Sequence, residues 1–510
     1  MMKKTLLVLL SAVLLGLSRL PLYSGWLGFF TLVPLFYYFD MGRHNWKELF
    51  RDAFVYSAVS FILWMHWIVG VTASGFVGII LFYAVAYFLA FLAVQLVWQK
   101  LPKLKYIGFI LIFLTLEYIQ NFTEFRFAWI NLGYALTDYT VLLQAADLGG
   151  VVLLSLFLLL INFFIYKLLH KKLAYLLYLV VLMLLWTGYG IWRMQTLSLS
   201  EKEAPITVMQ PSIPQEEKWE QEHFDQLYAK YVDLTAKAAQ DSAQLVIWPE
   251  AAMPAYVLRQ SEFRMLIQNL CDEYKIDIFT GFPDVLPAPL DYPGSAYYYN
   301  AATLFQPHKA YAPPYYKIIL VPVAERTPLL HVFPFLWKLQ FGQANWEYGT
   351  EYRYFESAGT VFSPQICFEI AFAELTRNMA YRNLGEHSGR KPAKIDYLVN
   401  ITNDAWFGRS AGPWIHGMMT KFRAIENRIQ IYRSANTGIS MAVDPLGRVI
   451  KKTNLFEVTN LQAPLYICDA VPLYYHLYWW PRLICLLAAA LIILAIFYRK
   501  PPIPAKGENQ

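Results

Sequence analysis

Apolar and polar positions follow two different rhythms along this chain. From the N-terminus to about residue 193 the apolar positions come in long, nearly unbroken runs, at about 5–20, 22–39, 53–71, 75–98, 105–120, 148–166 and 173–192. A last such run lies at roughly 479–498. Several reach the ~18 apolar residues that a membrane-spanning helix needs. Gly75 to Trp98 holds no charged residue at all. The fifth run is short and contains Glu117, and the first follows Met1-Met2-Lys3-Lys4 in the manner of a signal peptide. Further spans follow it and no small-residue cleavage site does, so it too reads as a span. The pattern predicts a membrane α-helical bundle of eight transmembrane helices, seven before the central region and one after it.

From about 200 to 475 the rhythm changes to short alternating runs separated by charged amphipathic stretches. PITVMQ (205–210), LVIWPE (245–250), IDIFTGFP (276–283), YYYNAATLF (297–305), TVFSPQICFE (360–369) and DYLVNITND (396–404) read as strands. The stretch from Lys218 to Ala239, EFRMLIQNLCDEY (262–274) and the run Gly412 to Tyr432 read as helices. A hairpin follows, closed by Asp444-Pro445-Leu446-Gly447. Strands alternating with helices predict a layered α/β sandwich. Three domains result: 1–198 transmembrane, 199–475 extramembrane, and 476–510 a C-terminal span with a tail.

Charge orients the spans. Lys3 and Lys4, then Arg43, Lys47 and Arg51, then Lys100, Lys103 and Lys105, then Lys167, Lys171 and Lys172, and finally Arg499, Lys500 and Lys506 fall at alternate ends. The intervening loops hold only Arg19 and Arg126. The excess of Lys and Arg marks the cytoplasmic side, so both termini are expected in the cytoplasm and the 199–475 domain on the far side of the membrane. The loop at 120–147, rich in aromatic and polar residues, is either an interfacial belt or a wall of a site.

Composition agrees: 57% of the residues are hydrophobic and 16% charged, too apolar for an ordinary soluble protein. The net charge of +6 is not gathered into a nucleic-acid motif. Cys271, Cys367, Cys468 and Cys485 show no metal-type spacing, so neither metal nor cofactor is expected. A single Cys271–Cys468 bridge stays open.

Three short β-like runs carry one reactive group each. Cys367 and Glu369 stand at the end of one, Glu250 closes another, and Lys317 stands in YYKIILVPVAE with Glu325 eight residues on. A thiol is only a few per cent ionised at neutral pH and needs a base, which Glu250 supplies. Lys317 would favour the thiolate and an oxyanion, with the backbone N–H of Phe368 as a second donor. Glu325 would hold Lys317 in place.

Ordered motifs then carry a resemblance. WPE at 248–250, YYK at 315–317, LVPVAE at 320–325 and ICFE at 366–369 resemble the Glu-Lys-Cys signature of the nitrilase, or carbon–nitrogen hydrolase, superfamily. Together with WINLGY (129–134), QPSIPQEEKW (210–219), NDAWFG (403–408), GPWIH (412–416) and ANTG (435–438), the whole chain resembles bacterial apolipoprotein N-acyltransferases. Two positions depart from the family pattern: Val323-Ala324 replaces a Phe-Gly pair, and Phe368 stands where Tyr is common. The resemblance implies an αββα nitrilase-like domain on the periplasmic side of the inner membrane and a ping-pong reaction. Cys367 would take an acyl chain from a phospholipid as a thioester. The α-amino group of a diacylglyceryl-modified apolipoprotein would then receive it. Glu250 would act as base and acid and Lys317 at the oxyanion, with Glu325, Phe368 and Glu369 in support. Trp219 and Trp406 would lie on substrate loops. A membrane-tethered amidase hydrolysing a small amide would use the same triad, and a transporter with an inactive sandwich domain is the third reading.

Overall fold

The computed structural model of the chain describes residues 2–338, 345–382 and 393–498. Arg499, Lys500 and Lys506, used above for orientation, lie outside the described residues. Five helices among the described residues are long and apolar enough to cross a membrane: Trp46–Gly70 with its terminal 3-10 turn, Ala73–Lys100, Ala146–Leu169, Ala174–Thr196 and Trp480–Phe497. The other three apolar runs fold into shorter pieces. The first is the 16-residue helix Met2–Leu17 and the fifth the 15-residue helix Lys105–Ile119. The second is broken into a 3-10 turn, Ser24–Phe29, and the helix Val33–Asp40. Pro34 at the start of that helix lacks the N–H that would continue the turn before it.

Helix Ala146–Leu169 is kinked at Gly149 and Gly150, whose backbones are not helical. Gly150 has φ +70°, a left-handed position that glycine takes without steric cost. The break releases the N–H of Val151, which donates to Glu426 Oε1 at 2.9 Å. The membrane part is thereby bonded to the extramembrane domain.

That domain is built on two six-stranded sheets. The first runs β14-β1-β2-β3-β4-β5, with β1 Ser200–Gln210, β2 Leu245–Ile247, β3 Asp277–Pro287, β4 Ala296–Phe305, β5 Tyr315–Tyr316 and β14 Thr459–Ile467. The second runs β13-β12-β11-β10-β7-β6, with β6 Phe355–Ser357, β7 Thr360–Ile366, β10 Tyr397–Thr402, β11 Gln430–Ala435, β12 Met441–Val443 and β13 Val449–Lys452. A separate pair, β8 (Tyr381–Arg382) and β9 (Ala393–Lys394), lies apart from both. The sheets face each other across a core in which the Phe279 ring meets Phe355 and Phe362 at 5.2 and 5.1 Å. Helices Phe224–Gln240 and Ser261–Tyr274 cover the first sheet, where Tyr231 packs on Trp248 at 4.5 Å. Helix Gly412–Asn427 packs against the second sheet and is buried at every residue from Ile415 to Asn427. It is held between the sandwich and the membrane part: Lys421 donates to the Thr137 carbonyl at 2.6 Å, and Arg428, just past the helix end, to Asp147 at 2.7 Å.

The helix expected over 412–432 ends at Asn427. Arg428 takes φ +50° and caps it, and residues from Gln430 belong to β11. Neither element shows its own period, because both the helix and the strand are buried on all sides, polar residues included. The hairpin after it is β12–β13, closed by the Gly447 N–H on the Asp444 carbonyl at 2.8 Å. Cys271 and Cys468 are both free.

Candidate active site

The elements converge on one cavity of about 450 Å³. Cys367, Phe368, Glu250, Glu325, Trp219 and Trp406 all line it. Lys317 is fully buried behind the two carboxylates, and Glu369 is buried beneath the thiol.

Strand β7 ends at Ile366, and Cys367 turns the chain into a 3-10 helix, Cys367–Ala371. It does so at φ +52°, left-handed for a residue with a Cβ. Such a backbone costs on the order of 1–3 kcal/mol and persists only where neighbours enforce it. Glu369 enforces it from below. Its Oε2 accepts the Ile366 N–H at 2.7 Å, and its Oε1 accepts the Tyr315 hydroxyl at 2.7 Å and the N–H groups of Ile318 and Ile319 at 2.7 and 3.1 Å. One carboxylate thus ties the thiol turn to the chain that carries Lys317. Burial pushes Glu369 up to about 7 against those donors. The Cys367 carbonyl is held from above, by Asn400 Nδ2 at 3.3 Å and His416 Nε2 at 3.2 Å.

Glu250 lies in the turn after β2. Its Oε1 accepts Asn300 Nδ2 at 2.7 Å and its Oε2 the Asn403 N–H at 2.8 Å. Lys317 Nζ is 2.7 Å from Glu325 Oε1 and 3.7 Å from Glu250 Oε1. Glu325 spends its other oxygen on the Val321 N–H at 2.8 Å, closing a tight turn in which Val323 sits at φ +69°. A β-branched residue is strained there. Burial acts to lower Lys317, but Glu325 first and Glu250 next carry it above the ordinary lysine value. Burial and then Glu250 push the Cys367 thiol up, and Lys317 pulls it down by less. At neutral pH the resting pair is therefore a thiol and an ammonium. The lysine alone does not make a thiolate.

Further polar neighbours border these groups, and three of them, Lys218, Asp404 and His416, lie within the motifs at 210–219, 403–408 and 412–416. Asn300 interrupts an apolar strand, which was the available signal. Lys218 is buried and donates to the Glu250 carbonyl at 3.0 Å. Burial lowers it to about 8, with Glu250 opposing. Asp404, His416 and Arg433 form a buried cluster: His416 Nδ1 is 3.0 Å from both Asp404 Oδ1 and Arg433 Nη2, and Arg433 is 2.7 Å from Asp404 Oδ2. Although burial opposes it, Arg433 holds Asp404 down at about 2. Burial and Arg433 push His416 down, so its ring is neutral. The Cys367 carbonyl can only accept, so Nε2 carries the proton and donates to it, and Nδ1 lies between Arg433 Nη2 and Asp404 Oδ1.

The opposite wall of the cavity comes from the membrane part. Gly75, Gly78, Ile79 and Phe82 of helix Ala73–Lys100, with Trp67, Phe127 and Trp129, complete it. Spacings of three and four residues put the helix positions on one face.

Two facing sheets, with a thiol at a strand end beside two carboxylates and a buried lysine, define a carbon–nitrogen hydrolase domain. A family model described as Carbon-nitrogen hydrolase matches residues 206–466. In this chain the domain is mounted on membrane helices, and a second model, the apolipoprotein N-acyltransferase N-terminal domain, matches residues 11–164. An apolipoprotein N-acyltransferase of Geobacter metallireducens is 30% identical, across 97% of this chain and 95% of its own length. One from Rickettsia prowazekii is 27% identical across 91% and 92%. The chain belongs to the apolipoprotein N-acyltransferase family, and it is a multi-pass membrane protein. Among solved structures, an amidase from Nesterenkonia sp. aligns with 55% of this chain and 95% of its own at 16% identity and a TM-score of 0.37.

Proposed function

We propose that this enzyme moves an acyl chain from a membrane phospholipid to the α-amino group of a diacylglyceryl-modified apolipoprotein, through a thioester on Cys367. The observation that carries the reading is the cavity: it joins the Cys367 thiol to the apolar face of a membrane helix. A small-amide hydrolase has no use for such a wall.

In the first half-reaction the Cys367 sulfur attacks the ester carbonyl while Glu250 takes the thiol proton. The developing oxyanion faces the Lys317 ammonium, whose position Glu325 fixes, and the Phe368 N–H. The C–O bond breaks, Glu250 returns the proton to the glycerol oxygen, and a lysophospholipid leaves. In the second, the amine attacks the thioester, Glu250 takes a proton from nitrogen, and the C–S bond breaks with the proton returning to sulfur. Glu369 holds the thiol turn. Trp219, about half exposed, and Trp406 border the cavity on loops that admit substrate. Eight spans, both termini in the cytoplasm and the sandwich domain in the periplasm complete the arrangement. The loop charges support it, and the three shorter apolar helices lie in the same bundle core as the long ones.

The test uses the full chain in phospholipid vesicles with a labelled acyl chain and a synthetic peptide bearing an N-terminal diacylglyceryl cysteine. Label on the peptide amine is expected. Label released only as free fatty acid would make water the acceptor and overturn the transfer reading in favour of a hydrolase.

A further inference from the structure

The loop between the fifth and sixth apolar runs is buried from 128 to 137, and ahead of the 3-10 turn Leu132–Leu136 its backbone is irregular. Buried backbone groups outside regular structure need other partners, and side chains supply them here. Three buried polar residues do this for one short segment. Arg19, past the end of helix Met2–Leu17, donates to the carbonyls of Ile130 at 2.9 Å and Asn131, with Trp129 at 3.5 Å. Glu117, on helix Lys105–Ile119, accepts the Leu132 N–H at 2.8 Å and Asn131 Nδ2 at 3.3 Å. Gln120 accepts the Ile130 N–H at 3.2 Å and donates to Asn131 Oδ1 at 2.9 Å. Two charges in an apolar bundle are costly, and both are committed to holding four residues of chain.

What that segment presents is Trp129, itself 2% exposed. Its ring stacks on His416 with centroids 5.6 Å apart and planes at 25°. His416 in turn holds the Cys367 carbonyl, at the residue whose φ of +52° needs holding.

We propose that Glu117 and Arg19 are positioning residues for acyl transfer, acting through Trp129 and His416 on the backbone of Cys367. The membrane part then sets the thiol's aim as well as supplying its substrate. This rests on Cys367 being the nucleophile.

The experiment compares Glu117→Leu, Trp129→Leu and the double variant as full chains in phospholipid vesicles. Acyl-enzyme formation is followed at several donor concentrations, with the thermal midpoint and the rate at which a neutral haloacetamide alkylates Cys367. A small misplacement of a reacting atom costs about 10²-fold. The expected result is a loss of that order in the maximal rate, a changed alkylation rate, KM near wild type, a thermal midpoint that is lowered but stays above the assay temperature, and a double variant no worse than the poorer single. Additive losses, a wild-type rate in Glu117→Leu, or a loss explained by a fallen midpoint would overturn the proposal. If the leucine variants do not fold, His416→Gln against His416→Leu still decides. Glutamine keeps an N–H donor and is expected to retain most of the rate, whereas equal rates would overturn the link. Transfer without any adduct on Cys367 would instead overturn the reaction scheme and leave the clamp itself standing.

Discussion

The two walls of the cavity could hardly be less alike. On the sandwich side, Glu250, Asn300, Glu325, Lys317 and Asn403 are locked by hydrogen bonds of 2.7–3.4 Å, and each carboxylate oxygen has a named partner. On the membrane side, Gly75, Gly78, Ile79 and Phe82 offer shape and almost no polarity. A Cβ added at Gly78 would meet no atom within 4 Å. The first wall is rigid because reacting charges must be placed before substrate arrives. The second suits an acyl chain, which would be recognised there by volume and apolar surface, not by donors. In the proposed scheme the chemistry sits on the sandwich side and the choice of acyl chain on the helix face from Gly75 to Phe82, so changes on that face should leave the thiol's reactivity intact; Trp129, stacked on His416, is the wall residue that joins the two.

The largest effect is expected at the thiol. Cys367→Ser should lower turnover by about 10⁶-fold, the scale of losing a nucleophile, while Cys271→Ala, Cys468→Ala and Cys485→Ala stay near wild type in a transfer assay. Glu250→Gln comes next, with a loss of about 10²–10⁴-fold. It should also separate acidity from catalysis. Glu250 raises the thiol, so removing its charge lowers that pKa and increases the thiolate fraction at a fixed pH. Alkylation of Cys367 by a neutral haloacetamide at about pH 8, just below a free thiol's pKa, should then become faster as acyl transfer becomes slower. Slower alkylation would show that Glu250 does not raise the thiol.

Lys317→Met should cost about 10²–10³-fold in rate, as for loss of an oxyanion donor. It also leaves Glu250 and Glu325 facing each other in a buried site, a penalty of about 3–5 kcal/mol visible as a lower thermal midpoint. Glu325→Gln should do less, about one hydrogen bond to a charged group or roughly tenfold, in the rate of acyl-enzyme formation and not in donor KM. The smallest effect belongs to the other wall. Gly78→Leu adds a side chain worth about 2 kcal/mol of apolar contact or exclusion. It should raise KM for long-chain donors more than for short ones and leave Cys367 alkylation unchanged. A change in alkylation there would mean that the walls are not independent.

Much of the sandwich could be read from alternation, because half-buried strands and amphipathic helices write different periods. The boundary at Arg428 could not, since helix and strand on either side are buried all round. The second apolar run hid its break for a related reason: composition stays apolar whether or not the backbone is helical. Near the site, Glu250, Lys317 and Cys367 stood out as reactive groups at strand ends, and the fold brings the three side chains to one place. Asn300 lies in none of the motifs, and His416 closes one, GPWIH, without a role attached to it. Their importance lies in which carboxylate or carbonyl they reach across the fold, and no local pattern records that. Glu117 reads as a flaw in a weak span, and its partners are the Asn131 side-chain amide and the Leu132 N–H, 14 and 15 residues onward.

The central claim is that one thiol carries the acyl chain between two substrates. The direct measurement is the intact mass of the enzyme after incubation with phospholipid alone, followed by addition of the diacylglyceryl-cysteine peptide. The account predicts one acyl chain on Cys367 that persists without acceptor, is absent in Cys367→Ala, and moves to the peptide amine when it is added. An adduct that survives in Cys367→Ala, or peptide acylation with no adduct ever formed, would contradict it.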